Sequence, residues 1–183
     1  MVRGSWLAAR IPVTAWLLIL AFASVGAQSR PPAPHEVEAA YLYQFGRYVE
    51  WPSDRRWASE TFDICVLGTD PFGPALDAMV KGQVIAARPV AARRILGPSD
   101  AQDCRIVFVS QSDDARLPGI LRALERAGAV TVGRGVRFTR AGGMIAFDAE
   151  APKVRFVVNL AAAESAGLQL SSQLLRVAVS VER

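Results

Sequence analysis

Side chains able to do covalent chemistry are few in this chain. It holds one histidine, His35, and two cysteines, Cys65 and Cys104. A lone imidazole removes Ser-His-Asp and Cys-His catalysis, along with zinc sites built on histidine. Two cysteines cannot complete a four-thiolate site, and this pair is far from a C-x-x-C redox spacing. Asp70 and Asp113-Asp114 could face a hard cation. Acids that open a helix are better read as favouring its dipole. The turn Gly68-Thr69-Asp70-Pro71-Phe72-Gly73 lacks the lysine and hydroxyl of a phosphate loop and the third glycine of a dinucleotide fingerprint. It reads as a plain strand-to-helix turn. Asn159, the only asparagine, suits a helix cap or a brace at a strand end. No nucleophile, base and oxyanion donor assemble, and no metal or cofactor motif is present. The pattern is that of a binding or regulatory module rather than an enzyme.

The compartment is written in the first residues. Arg3 and Arg10 precede an apolar run from Ile11 to Phe22, and Val25-Gly26-Ala27 offers small residues before Gln28. This is the layout of a secretory signal peptide cleaved between Ala27 and Gln28. The run is short for a membrane anchor, which needs about 20 apolar residues. Residues 1–27 are therefore a leader, 28–35 a proline-rich flexible lead-in, and 36–183 one exported domain. Losing Arg3 and Arg10 lowers the formal +4 of the whole chain by two. The remaining arginines are scattered without interleaved aromatics, which argues against nucleic acid. In an oxidising compartment an even cysteine count is read as one disulfide, Cys65–Cys104, with two buried thiols as the alternative. Such a bridge would contribute about 3–4 kcal/mol.

The elements that position these residues alternate. An aromatic stripe, Val37, Tyr41, Phe45 and Tyr48, predicts a helix from Glu36 that Trp51-Pro52 ends. Strands follow at 61–67, 84–85, 88–95, 104–109 and 129–132, with helices at 74–81 and 115–127 between them. Gly133 to Arg137 reads as a loop. Met144–Phe147 and Lys153–Leu160 then read as a hairpin, and the apolar run Phe156-Val157-Val158 as a strand covered on both faces. Short helices are expected at 161–166 and from Gln173 to about Val179, the latter capped by Ser171 or Ser172. The order predicts an α/β fold: one three-layer domain, a mostly parallel sheet, and an antiparallel hairpin near the C-terminus.

Several of these stretches resemble one known family. Ala39-Ala40-Tyr41-Leu42-Tyr43-Gln44-Phe45-Gly46-Arg47-Tyr48-Val49-Glu50-Trp51-Pro52 is similar to the opening helix of the YfiR family. So are the strand at Cys104, Gly143–Phe147, Val154–Leu160, Ala166-Gly167-Leu168 and Ser171–Leu175. The resemblance implies a periplasmic α/β protein without known catalysis, one that represses an inner-membrane diguanylate cyclase and lowers cyclic di-GMP. It also implies an outer-membrane lipoprotein that sequesters the repressor, and it is compatible with a homodimer. The namesake carries two cysteine pairs, and this chain keeps only Cys65 and Cys104. The partner-binding patch is expected at Trp51, Leu168 and Leu170. A second reading is a small-ligand domain feeding a sensor kinase, which needs a pocket with a few convergent polar groups, Arg140 or Arg155 among them. A third, a thiol oxidoreductase, would require an exposed, reactive Cys65 or Cys104.

Overall fold

Two runs of six consecutive buried residues lie side by side at the centre of the protein. The computed structural model describes residues 30–53, 57–110, 115–148, 151 and 153–182. The expected leader, its Ala27–Gln28 cleavage site, Arg55-Arg56 and Asp113-Asp114 lie outside these. The described elements belong to one unit, Pro32–Arg183. Its helices are α1 (Pro34–Tyr48), α2 (Pro74–Val80), α3 (Leu117–Ala127), α4 (Val136–Arg140), α5 (Leu160–Ser165) and α6 (Ser172–Val177). Its strands are β1 (Val49–Glu50), β2 (Phe62–Leu67), β3 (Val84–Ile85), β4 (Arg88–Ile95), β5 (Cys104–Val109), β6 (Val130–Arg134), β7 (Ile145–Phe147), β8 (Phe156–Asn159), β9 (Gln169–Leu170) and β10 (Ser180–Glu182).

The main sheet has the order β10-β8-β7-β6-β5-β2-β4-β3. β4, β2, β5, β6 and β7 run parallel, and β7–β8 is the expected antiparallel hairpin, with Ile145 opposite Val158. Alternating apolar faces on a parallel sheet must both be covered, and two cores result. On one face α1, α2 and α6 supply Leu42, Phe45, Leu76 and Leu174 against Ile64, Ile106 and Phe108. On the other, α3 and α4 supply Leu121, Leu124 and Phe138 against Cys65, Val107 and Ala146. The aromatic stripe of α1 is core, as its spacing predicts. Phe45 lies edge-on to Phe156 at 5.0 Å, and Tyr41 likewise at 5.4 Å. Such pairs each contribute about 0.5–1.5 kcal/mol beyond their burial. At the sheet's C-terminal edge Arg134 grips Glu38 of α1 through two guanidinium nitrogens.

Several boundaries differ from the expectation for identifiable reasons. α1 begins at Pro34, because proline suits the first helical position and Glu36 accepts from the Ala33 amide at 2.6 Å. His35 therefore sits in the first helical turn, not in a flexible lead-in. The stretch expected as a loop, 133–137, is divided instead: Gly133 and Arg134 finish β6, and Val136 and Arg137 open α4. Its Phe138 ring needs a slot without side chains, and Gly133 and Gly143 provide it: a Cβ at either would fall within 2.4 Å of the ring. β8 is not covered equally on both faces, since Phe156 and Val158 are buried while Val157 and Asn159 are only partly so. The last helix stops at Val177, not Val179. Beyond it Ser180–Glu182 forms β10, parallel to β8, and the Val179 amide just before it donates to Phe156 O at 2.9 Å.

Candidate functional site

The end of α1 meets the C-terminal segment in a two-stranded ribbon. β1 pairs antiparallel with β9, placing Val49 opposite Leu170 and Glu50 opposite Gln169. The Ser171 amide donates to Tyr48 O at 2.9 Å and closes the ribbon. Trp51, directly after β1, is half-buried. Its indole Nε1 donates to Gly128 O at 3.1 Å, and its ring meets Phe62 edge-on at 5.5 Å. Leu170 is also half-buried, leaning on the core. Leu168 is different: it is 1% exposed and packs in the core that holds Ala163 and Leu174. Gly167 takes a left-handed φ of 74° after α5, and the Leu168 amide turns back to Ala163 O at 2.9 Å. That turn drives the Leu168 side chain inward. Leu168 is thus a core residue and not the surface residue expected, while Trp51 and Leu170 keep part of their area exposed.

Arg140 and Arg155 do not converge. Both are exposed. Arg155 precedes β8 at the end where its carbonyl accepts from Asp148 at 2.9 Å. Arg140 closes α4, which is tied to the other end of β8 by Asn159 Nδ2 donating to Thr139 O at 3.1 Å. The two arginines therefore stand at opposite ends of the β7–β8 hairpin. Asn159 does both things its type suggests, since its Oδ1 also caps α5 through the Ala162 amide at 3.0 Å.

A cleft of about 620 Å³ opens between the end of α1 and the β3–β4 hairpin. Trp51, Trp57 and Phe62 line it together with Arg47, Arg88 and Arg105. Glu50 lies at the same cleft. Arg105 is 5% exposed, inside an otherwise apolar strand. Its guanidinium stands 4.6 Å from the Trp57 ring centre and 5.2 Å from that of Phe62, and Nη1 donates to Thr61 O at 2.7 Å. Burial lowers its pKa, as does the charge of Arg88, and the pull of Asp63 and Asp103 does not restore the ordinary value. Arg88 Nη1 donates to Ser59 O at 2.6 Å. Gly46 lets the hairpin approach α1, because a Cβ there would lie 2.8 Å from Ile85 and Phe62. The hairpin turn itself is strained, with Ala86 and Ala87 at φ of 49° and 61°. Sequence reasoning passed over this cleft. The available signal was a single arginine in the run Cys104–Val109, since a buried charge requires compensation.

Cys65 and Cys104 are bonded, with Cα atoms 5.8 Å apart and both residues fully buried, joining adjacent strands β2 and β5. Neither sulfur is a free thiol, so the exposed, reactive cysteine that an oxidoreductase would need is not there. Asp70 is no open ligand either. Its carboxylate accepts from the Phe72 and Gly73 amides at 2.8 and 3.2 Å and from Arg94 Nε at 2.8 Å. Burial alone would raise its pKa, but the Phe72 amide and Arg94 outweigh that and hold it below the usual carboxylate value.

Comparison with known proteins adds the following. A family model described as YfiR/HmsC-like matches residues 35–179. No curated protein matches the chain. Among solved structures, a conserved domain protein from Vibrio cholerae O1 biovar El Tor is similar at TM-score 0.54 and 13% identity, covering 82% of this chain and 60% of that one. The ABC domain of a Streptococcus pneumoniae protein, solved in complex with L-Trp, is similar at TM-score 0.51 and 9% identity, covering 81% and 62%. The chain thus spans about six-tenths of the length of these two structures, and at such identity the likeness is one of fold.

Proposed function

The chain belongs to the YfiR/HmsC-like family, and we propose that it is an exported periplasmic regulator that binds and represses the periplasmic part of an inner-membrane diguanylate cyclase. Repression would lower cyclic di-GMP, and capture of this protein by an outer-membrane lipoprotein would relieve it. The observation that carries the reading is the family match over residues 35–179. The physical chemistry is consistent with it. The pair of cysteines is locked in a buried disulfide, and Asp70 is consumed by a turn. Among the described residues no helix is long and apolar enough to cross a membrane. In this reading residues 1–27 direct export and residues 36–183 do the regulating.

The surface assigned to the partner is the β1–β9 ribbon with Trp51 and Leu170. Tryptophan is enriched at binding hot spots because one rigid ring covers much area, and a half-buried leucine offers apolar area at little cost in entropy. Glu50 and Gln169 flank these residues and supply a polar rim. The test uses Leu170→Asp in the native cells, with cyclic di-GMP and the thermal midpoint of the purified variant measured together. Raised cyclic di-GMP is expected from a variant that still folds, its midpoint lowered by about 2–4 °C for the lost packing of a half-buried leucine. Full repression by Leu170→Asp would remove the ribbon from the interface.

A further inference from the structure

We propose that the cleft between the end of α1 and the β3–β4 hairpin is a binding site for a small organic monoanion, a carboxylate carried on a flat apolar body. The volume, about 620 Å³, falls in the range of small-molecule sites, roughly 300–1,000 Å³. The floor is cationic and built. Arg105 is nearly buried, stacked on Trp57 and Phe62, and anchored through one nitrogen to Thr61 O. Among the described residues its other N–H donors meet no carboxylate, and a guanidinium fork matches a planar carboxylate in two parallel bonds.

The charges around Arg105 leave a place for an anion. Arg88 is close enough to oppose its charge, and Arg88 too is anchored only by a carbonyl, Ser59 O. Among the described residues neither arginine makes an ion pair. The nearby acids are committed elsewhere: Asp63 pairs with Arg93 at 2.9 Å, and Asp103 accepts from the Ala58 and Ser59 amides. A buried cation is costly until it is paired. Arg47 adds a third positive charge to the cleft, while among the described residues Glu50 is the one acid lining it. That opposing carboxylate selects against polyanions and so against nucleotides. The indoles of Trp51 and Trp57 supply flat apolar walls. The strained Ala86–Ala87 turn sits over the same opening, where held strain commonly accompanies a site.

This inference stands apart from repression of the cyclase, because its test needs no partner. The protein purified from the exporting cells is titrated calorimetrically with 2-naphthoate and with its uncharged analogue 2-naphthalenemethanol. The expected result is saturable one-to-one binding of the acid, at least about tenfold tighter than the alcohol. Arg88→Gln should weaken the acid about fivefold or more and leave the alcohol unchanged. Arg105→Gln should abolish the preference for the acid. Because Arg105 also holds Thr61 and Trp57 in place, Arg47→Gln, at an exposed position, provides a second variant that keeps the fold, with a smaller loss. Equal affinity for acid and alcohol, absence of saturable acid binding below about 5 mM, or indifference to both Arg88→Gln and Arg47→Gln would overturn the proposal.

Discussion

Replacing both cysteines, Cys65→Ala with Cys104→Ala, should cost about 4 kcal/mol. The bond closes a loop of 39 residues. In the chain-entropy relation such a loop removes about 13 cal/mol/K from the unfolded ensemble, or about 4 kcal/mol at 25 °C. Both residues are fully buried between β2 and β5, so loss of sulfur packing adds to the cost rather than offsetting it. For a domain of this size, 1 kcal/mol corresponds to about 2–4 °C, which puts the fall in melting temperature at about 8–16 °C. The assay is urea unfolding of the oxidised protein and the double variant, followed by tryptophan emission. Burial makes a second, kinetic statement. Dithiothreitol cannot reach the sulfurs in the folded state, so the rate of reduction should follow global unfolding and rise with urea. A stability loss under about 1 kcal/mol would refute the loop-entropy account. Rapid reduction in native buffer, insensitive to urea, would refute the burial account.

Gly143→Ala would place a Cβ 2.1 Å from the Phe138 ring, and chemical denaturation should show a loss of about 3 kcal/mol. Combining it with Phe138→Ala should cost less than the sum of the two single changes, by about 1–2 kcal/mol. Ala86→Asn with Ala87→Gly should raise stability by about 1–2 kcal/mol, since both positions hold positive φ in a two-residue hairpin turn that favours those residues. Asp70 has a pKa below its ordinary 3.8 in the folded protein. Its stabilising contribution is therefore complete above that value and is lost as pH falls through the depressed one. Arg94→Gln should lower stability at neutral pH and flatten the acid limb of the stability profile, read from unfolding midpoints between about pH 2 and 6.

Much of the fold was legible because its strands are strongly patterned. Cys104–Val109 is apolar at every position but one, and both its limits and its burial on two faces follow from that run. The disulfide followed from an even cysteine count in a chain read as exported, and the strand assignment brought its partners into reach. The misreadings share a cause. Gly133 to Arg137 read as a loop because the signal for α4 is the Phe138 ring filling a notch between Gly133 and Gly143, which are apart in sequence. Leu168 looked like surface because its inward turn depends on the left-handed Gly167. Arg140 and Arg155 read as candidate ligand groups from their charge alone, and only the pairing of β7 with β8 sets them at opposite ends of the hairpin. The arginine-lined cleft was the least legible feature. Its members come from α1, the 57–62 connection, the β3–β4 hairpin and β5, and no local pattern joins them.

Repression of a membrane cyclase through the β1–β9 ribbon requires that ribbon to touch the cyclase in the cell. The most direct measurement places a photo-cross-linking residue at position 170 in the native cells and identifies what is captured. The expected capture is an inner-membrane protein with a diguanylate cyclase domain, from position 170 but not from the buried position 168. Capture of no membrane protein from position 170, in cells where the protein is folded and exported, would contradict it.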